Sequence, residues 1–161
     1  MEPLQHEEYW DIEIAWSRPK EYERVLEEGS PHDELAHLYL ISARFGTKSP
    51  KAIYVGKTYD QFVKKRLSQP DHQKRYSQFV KDYPRHRFYV SHGVVTNHDG
   101  KLTRKRIDEI ERILIYANKP QHAYNVQNFW THGVTTAYQI ENRGSRCTLP
   151  RTITLGVFVT N

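Results

Sequence analysis

The apolar residues of this chain change period along its length, and the order of those changes limits it to a mixed α+β domain. Residues 35–41 (LAHLYLI) and 52–55 (AIYV) are strand-length runs, the second closed by Gly56. They predict an antiparallel pair joined by a long loop over residues 42–51 that holds Gly46 and Pro50. Residues 60–68 read as a helix. Residues 72–83 carry Tyr76, Phe79, Val80 and Tyr83 at helical spacing and stop before Pro84. Residues 88–95 read as a third strand, followed by a turn over 97–100. Thr103 is placed to cap a helix running to about Asn118, with Ile107, Ile110, Ile113, Leu114 and Ala117 as its apolar stripe.

Outside this central pattern, residues 11–16 alternate like a strand and residues 19–28 read as a short helix. Residues 134–141 and 153–159 are strand candidates around a turn at 142–145. The expected architecture is α+β: a small, mainly antiparallel sheet of about three core strands flanked by helices. An extra N-terminal strand and helix and a C-terminal β-hairpin complete it. The expected division is an acidic N-terminal extension (1–34), a core (35–128) and a β-rich C-terminal extension packed on the core (129–161).

Charge is sorted along the chain. Residues 1–34 hold eleven acidic and three basic residues, a net of −8; the rest holds 21 basic against 8 acidic, a net of +13. A single-sign field of that size favours a polyanionic partner, nucleic acid before an acidic membrane surface. It is densest over residues 64–106, with twelve lysines and arginines against three aspartates. Lys64, Lys65, Lys74, Arg75, Arg85, Arg87, Arg104, Lys105 and Arg106 are the expected phosphate contacts. No run approaches the roughly 18 apolar residues of a membrane span, so no membrane partner is expected. The acidic N-terminus lacks the apolar stretch of a signal peptide, and the lone Cys147 suits a reducing, cytoplasmic compartment.

Three positions resist a purely structural account. Arg66 falls within the apolar stripe of its helix, beside Phe62, Val63 and Leu67, where a guanidinium must be paired or face a cleft. Glu111 and Glu109 flank the stripe of the next long helix, and periodicity does not choose between them. Arg104, Lys105 and Arg106 open that helix against its macrodipole, each at a cost of up to about 1 kcal/mol that an anion would offset.

Taken in order, these residues resemble the GIY-YIG endonuclease family. His37-Leu38-Tyr39 stands where the first tripeptide would be, without its glycine; Tyr54-Val55-Gly56-Lys57-Thr58 matches the second. Asp60, Phe62 and Lys65-Arg66-Leu67 match the arginine helix. Glu111-Arg112-Ile113-Leu114-Ile115 followed by Pro120 matches the glutamate helix and selects Glu111 over Glu109; Asn125 matches the asparagine. The resemblance covers residues 35–128 and is nearest to restriction-like or phage and mobile-element members. A histidine or tyrosine that some members place four residues after the arginine is Pro70 here, with His72 or Tyr76 as the residues that could substitute.

The resemblance implies a metal-dependent endonuclease that hydrolyses phosphodiester bonds in double-stranded DNA, acting as a homodimer. It implies one divalent ion on Glu111, Mg²⁺ with Mn²⁺ as the alternative. Tyr39 would be the general base or water-orienting group, with Lys57 favouring its phenolate. Tyr54 would hydrogen-bond the phosphate or the water, Arg66 would fork onto the phosphate, and Asn125 would brace the site. The alternative is a catalytically inactive nucleic-acid-binding module on the same scaffold.

Overall fold

The computed structural model describes residues 9–96, 98–118, 134 and 136–155. In chain order the elements are β1 (Trp10–Trp16), β2 (Lys20–Glu21), α1 (Tyr22–Glu28), β3 (Leu38–Phe45), β4 (Lys51–Lys57), α2 (Val63–Leu67), α3 (Pro70–Asp82), β5 (His86–Thr96), α4 (Arg104–Ala117), β6 (Tyr138–Gly144) and β7 (Thr152–Leu155). The class is α+β, as expected. The sheet is larger and less regular than about three antiparallel strands: it has seven, in the order β4-β3-β5-β1-β6-β7, with β2 also pairing β5. It is also mixed, because β1 runs antiparallel to β5 and parallel to β6. Far from being peripheral, β1 lies mid-sheet, and residues 10–16 join the central strands to the β6–β7 hairpin.

Strand alternation divides the buried side chains into two clusters. Leu38 and Leu40 of β3 pack with Ile107, Ile110, Ile113 and Leu114 of α4, together with Ile12, Ile14 and Trp16 of β1. Tyr39, Ile41 and Ala43, at the alternate positions of β3, pack with Tyr22 and Val25 of α1, Val63 and Leu67 of α2, and Phe79 of α3. Burying each large aliphatic group contributes about 1.5–3 kcal/mol. For α4 this far outweighs the macrodipole cost of its three leading cations. On β4 a bulge interrupts the alternation: Ile41 pairs Tyr54 and Ser42 pairs Ala52, leaving Ile53 as the extra residue. Ile53 and Tyr54 consequently share the face of Tyr39, while Ala52 and Val55 turn to α4.

The boundaries differ from expectation in instructive ways. β3 starts later and runs on to Phe45, so residues 46–50 form a short hairpin loop where a long one is expected. Asp60 adopts a positive φ of 52°, which no helix tolerates, and α2 is only the five residues Val63–Leu67. α3 begins two residues early because Pro70 serves as its first helical residue, where its missing N–H is no loss. α4 starts where expected: the Thr103 side chain accepts the Arg106 N–H at 3.2 Å.

Candidate active site

Tyr39 and Tyr54 stand on adjacent strands and face the same helices, their ring centroids 6.0 Å apart. Gly56 is the cross-strand neighbour of Tyr39. A Cβ at Gly56 would lie 2.7 Å from Tyr39 Cε1 and closer still to the phenolic end of the ring, so only a glycine leaves room for that side chain. His72, from the first turn of α3, closes the group. The Tyr39 hydroxyl lies 2.7 Å from His72 Nε2, and the imidazole stands edge-on to both phenol rings, at 5.7 and 5.6 Å. Tyr39 and His72 are each 1 % exposed and Tyr54 is 7 % exposed, so the three form one nearly dry cluster.

Two arginines flank it. Arg75, also on α3, lies over the Tyr54 ring at 4.7 Å and donates to its hydroxyl at 3.3 Å. Arg66, near the end of α2, reaches Gln69 and Asp71 from Nη1, the aspartate at 3.2 Å. Burial raises Tyr39 well above the ordinary phenol range, and the neighbouring Tyr54 adds to this while Arg66 opposes it. Burial likewise raises Tyr54, against the pull of Arg75. For His72 burial, then Arg66 and Arg75, bring the imidazole down to about 4. At neutral pH all three groups are therefore uncharged. The neutral imidazole and the Tyr39 hydroxyl share one hydrogen bond at Nε2, and Tyr39 is also hydrogen-bonded to Tyr54. His72 Nδ1 is buried with no partner among the described residues.

The carboxylate side of the site comes from α4. Glu111 is 5 % exposed and sits 3.1 Å from Lys57 Nζ; Asp108, one turn earlier, is 2.6 Å from the same nitrogen. Burial works against the Lys57 charge, but its bonds to Asp108 and Glu111 prevail and hold its pKa above the ordinary value. The Glu111 charge raises both Tyr39 and Tyr54. Glu109 belongs to a separate network, where it accepts from the Tyr138 hydroxyl at 3.0 Å. Among the described residues no group of three or more His, Cys, Asp or Glu side chains is gathered for a metal. A pair fits a hydrated ion better: Mg²⁺ takes one or two carboxylates, keeps several waters and borrows phosphate oxygens. Asp108 and Glu111 converge on one cation already, the Lys57 ammonium.

The structure brings Arg66 and Glu111 each within electrostatic range of both Tyr39 and Tyr54, with Lys57 bonded to Glu111. Asn125 lies outside the described residues. The Lys57 ammonium is bonded to Asp108 and Glu111.

Among the expected phosphate contacts, Lys65, Lys74, Arg85, Arg87, Arg104 and Lys105 are exposed. Lys64 is half-buried and donates to the Glu27 carbonyl at 2.8 Å. Arg75 is drawn into the phenol cluster. Arg106 is drawn into the fold: its guanidinium lies 4.2 Å from the Trp10 ring and donates to Thr136 and Tyr138, so it is not presented as a phosphate contact. Arg104 lies over Tyr59 at 3.8 Å and Lys105 approaches Glu109 at 3.9 Å. Each of the three cations that open α4 thus has a partner within the protein.

Asp108 and Asp71 are not singled out by the sequence, and His72 enters there only, with Tyr76, as a substitute for the residue at Pro70. Extending the stripe Tyr76, Phe79, Val80, Tyr83 back by one turn lands on His72, and Asp108 precedes Glu111 by the three residues that put both on one helix face. The His72 assignment has a thermodynamic signature. The unfolded chain takes up this proton near pH 6.5 and the folded one only near 4, so stability is full above that window and falls through it as acid is added. Between those limits the wild type should lose roughly 2–3 kcal/mol more than His72→Gln. Urea unfolding at stepped pH measures this, and parallel stability profiles for the two proteins would refute it.

Compared with known proteins, the chain matches no protein-family model, no curated protein and no solved structure.

Proposed function

We propose that the protein is a metal-dependent endonuclease that hydrolyses phosphodiester bonds of double-stranded DNA. The observation that carries this reading is one nearly dry cluster of Tyr39, Tyr54 and His72, flanked by Arg66 and Arg75 and within reach of the Glu111 charge. Hydrolysis of a phosphodiester needs a positioned water, a proton acceptor and positive charge at phosphorus, and each has a group to supply it. Tyr39 is the general base or water-orienting group of this reading, its hydroxyl held 2.7 Å from His72 Nε2. Tyr54 and Arg75 hold a non-bridging phosphate oxygen. Arg66 exchanges its partly exposed Asp71 partner for the phosphate, since an exposed ion pair of that kind contributes only about 0–1 kcal/mol.

A divalent ion, Mg²⁺ or Mn²⁺, bound at Glu111 with Asp108 beside it would neutralise the developing phosphorane charge and assist the leaving oxygen. The exposed Lys65, Lys74, Arg85 and Arg87 position the duplex backbone. One such site cuts one strand, so cutting both calls for a homodimer. Among the described residues no helix is long and apolar enough to cross a membrane. The cytoplasm is the compartment proposed, on the strength of the lone Cys147.

One observation favours the second reading, a nucleic-acid-binding module without catalysis: Arg66 is engaged by Gln69 and Asp71, and Glu111 by Lys57. Incubating supercoiled plasmid with the protein, with Mg²⁺ and with EDTA, separates the two. The nuclease reading expects nicking that needs the metal and falls at least tenfold in Tyr39→Phe. Tight binding with no nicking under any divalent ion would transfer the assignment to the second.

A further inference from the structure

Beside the site, α1, α3 and the start of β5 enclose an open cleft of about 470 Å³. Its chemistry is divided. Tyr76, Tyr83 and Phe88 supply aromatic surface, Arg85 and Arg87 supply positive charge, and Glu21 and Glu23 supply carboxylates. Tyr76 is stacked on Tyr22 at 4.1 Å and meets Phe88 edge-on at 5.7 Å, which fixes that wall firmly. Tyr83 is the half-buried residue that ends α3, and it meets His86 edge-on at 5.2 Å. Arg85 adopts a φ of +62° in the turn between them, a conformation that strains a long side chain and suits glycine or asparagine. Glycine there would relieve the strain; the chain places a guanidinium at the cleft instead.

We propose that this cleft receives an unpaired nucleobase of the DNA substrate, with Arg85 and Arg87 on the flanking phosphates; the inference rests on the endonuclease reading. A phosphate is a poor occupant of the interior, because Glu23 repels it. A base fits: it stacks on tyrosine at about 1–3 kcal/mol and offers N–H donors to a carboxylate. Tyr54 meets Phe79 at 6.3 Å and Phe79 meets Phe88 at 6.2 Å, so the cleft wall and the Tyr54 side chain are packed through the same aromatic core. The substrate class implied is a duplex with a single-stranded tail or branch next to the cut, in preference to an uninterrupted duplex.

Binding, measured by fluorescence anisotropy in EDTA so that no strand is cut, tests this apart from catalysis. Three ligands are compared: a blunt hairpin duplex, the same duplex with a short single-stranded tail, and that tail with its bases removed as abasic sites. The intact tail should bind about tenfold more tightly than the abasic one, a difference of about 1.4 kcal/mol. Tyr83→Leu, which keeps apolar bulk but loses the ring, should abolish that ratio and leave blunt-duplex affinity within about twofold. Equal binding of intact and abasic tails would overturn the base cleft while the nuclease reading stands. Competition by a free nucleoside monophosphate at concentrations that spare blunt-duplex binding would reassign the cleft to a mononucleotide. Failure to bind any of the three ligands would remove the nuclease reading and this inference with it.

Discussion

Glu111→Gln is expected to lower plasmid nicking by about a hundred- to a thousandfold, the scale seen when one charge-stabilising group is withdrawn from a transition state. The substitution preserves shape. Its amide oxygen still accepts from Lys57, and Lys57 keeps Asp108 at 2.6 Å, so thermal stability and affinity for uncleaved DNA should change little. What disappears is the buried negative charge that would hold a hydrated cation in the proposed mechanism and that both phenols already register. Arg66→Ala should fall in the same range, and Arg66→Lys should not restore it, because a point charge lacks the planar fork that engages two phosphate oxygens. Initial rates of conversion of supercoiled to nicked plasmid, at saturating protein and fixed salt, report these effects. A Glu111→Gln protein that nicks at the wild-type rate would disqualify α4 as the source of the metal ligand.

Gly56→Ala should be costly to folding and to activity together. Gly56 lies outside the left-handed region, so what matters is the missing Cβ and not backbone freedom. An added methyl would overlap a tyrosine ring that is 1 % exposed and bonded to His72, leaving the ring no vacant place to move into. Overpacking of this kind costs about 3 kcal/mol, at the upper end of the usual range. For a domain of this size that lowers the melting temperature by about 6–12 °C. Activity should be lost as well, because any ring position that admits the methyl breaks the hydrogen bond to His72. Tyr39→Leu makes room, so the double variant should recover most of the stability without recovering nicking. Differential scanning calorimetry of the two single variants and the double gives the coupling energy. Additive losses would mean that Gly56 and Tyr39 do not compete for the same space.

How much of this was legible beforehand varied with how local the cause was. The start of α4 was legible because Thr103 and the isoleucine stripe act within a few residues of one another. The reach of β3 was not. Leu35 belongs to an apolar run but is 65 % exposed, and the strand instead continues through Ser42 and Arg44, whose pairing with β5 no local pattern announces. The central place of β1 was equally hidden, since it depends on partners in β5 and β6 that lie far away in the chain. Order and spacing single out Tyr39, Tyr54, Arg66 and Glu111 as candidates. For His72 the sequence offers Tyr76 as an equal alternative, and only the turn of α3 from Pro70 brings the imidazole to Tyr39. The ion pairs of Lys57 were hidden for an electrostatic reason: a lysine binds the nearest carboxylates, and α4 presents two.

The parallel union of β1 with β6 has a consequence for biosynthesis. The indole of Trp16 donates to Asn142, a residue 126 positions later. Until that later stretch has left the ribosome, one border of β1 has unsatisfied amides and carbonyls, with Ile12, Ile14 and Trp16 lacking part of their cover. A nascent chain stalled short of Tyr138 is thus an adhesive ribbon, ready to recruit another of its kind. Production of this protein should accordingly be more sensitive to premature termination late in the message than to changes in its surface loops.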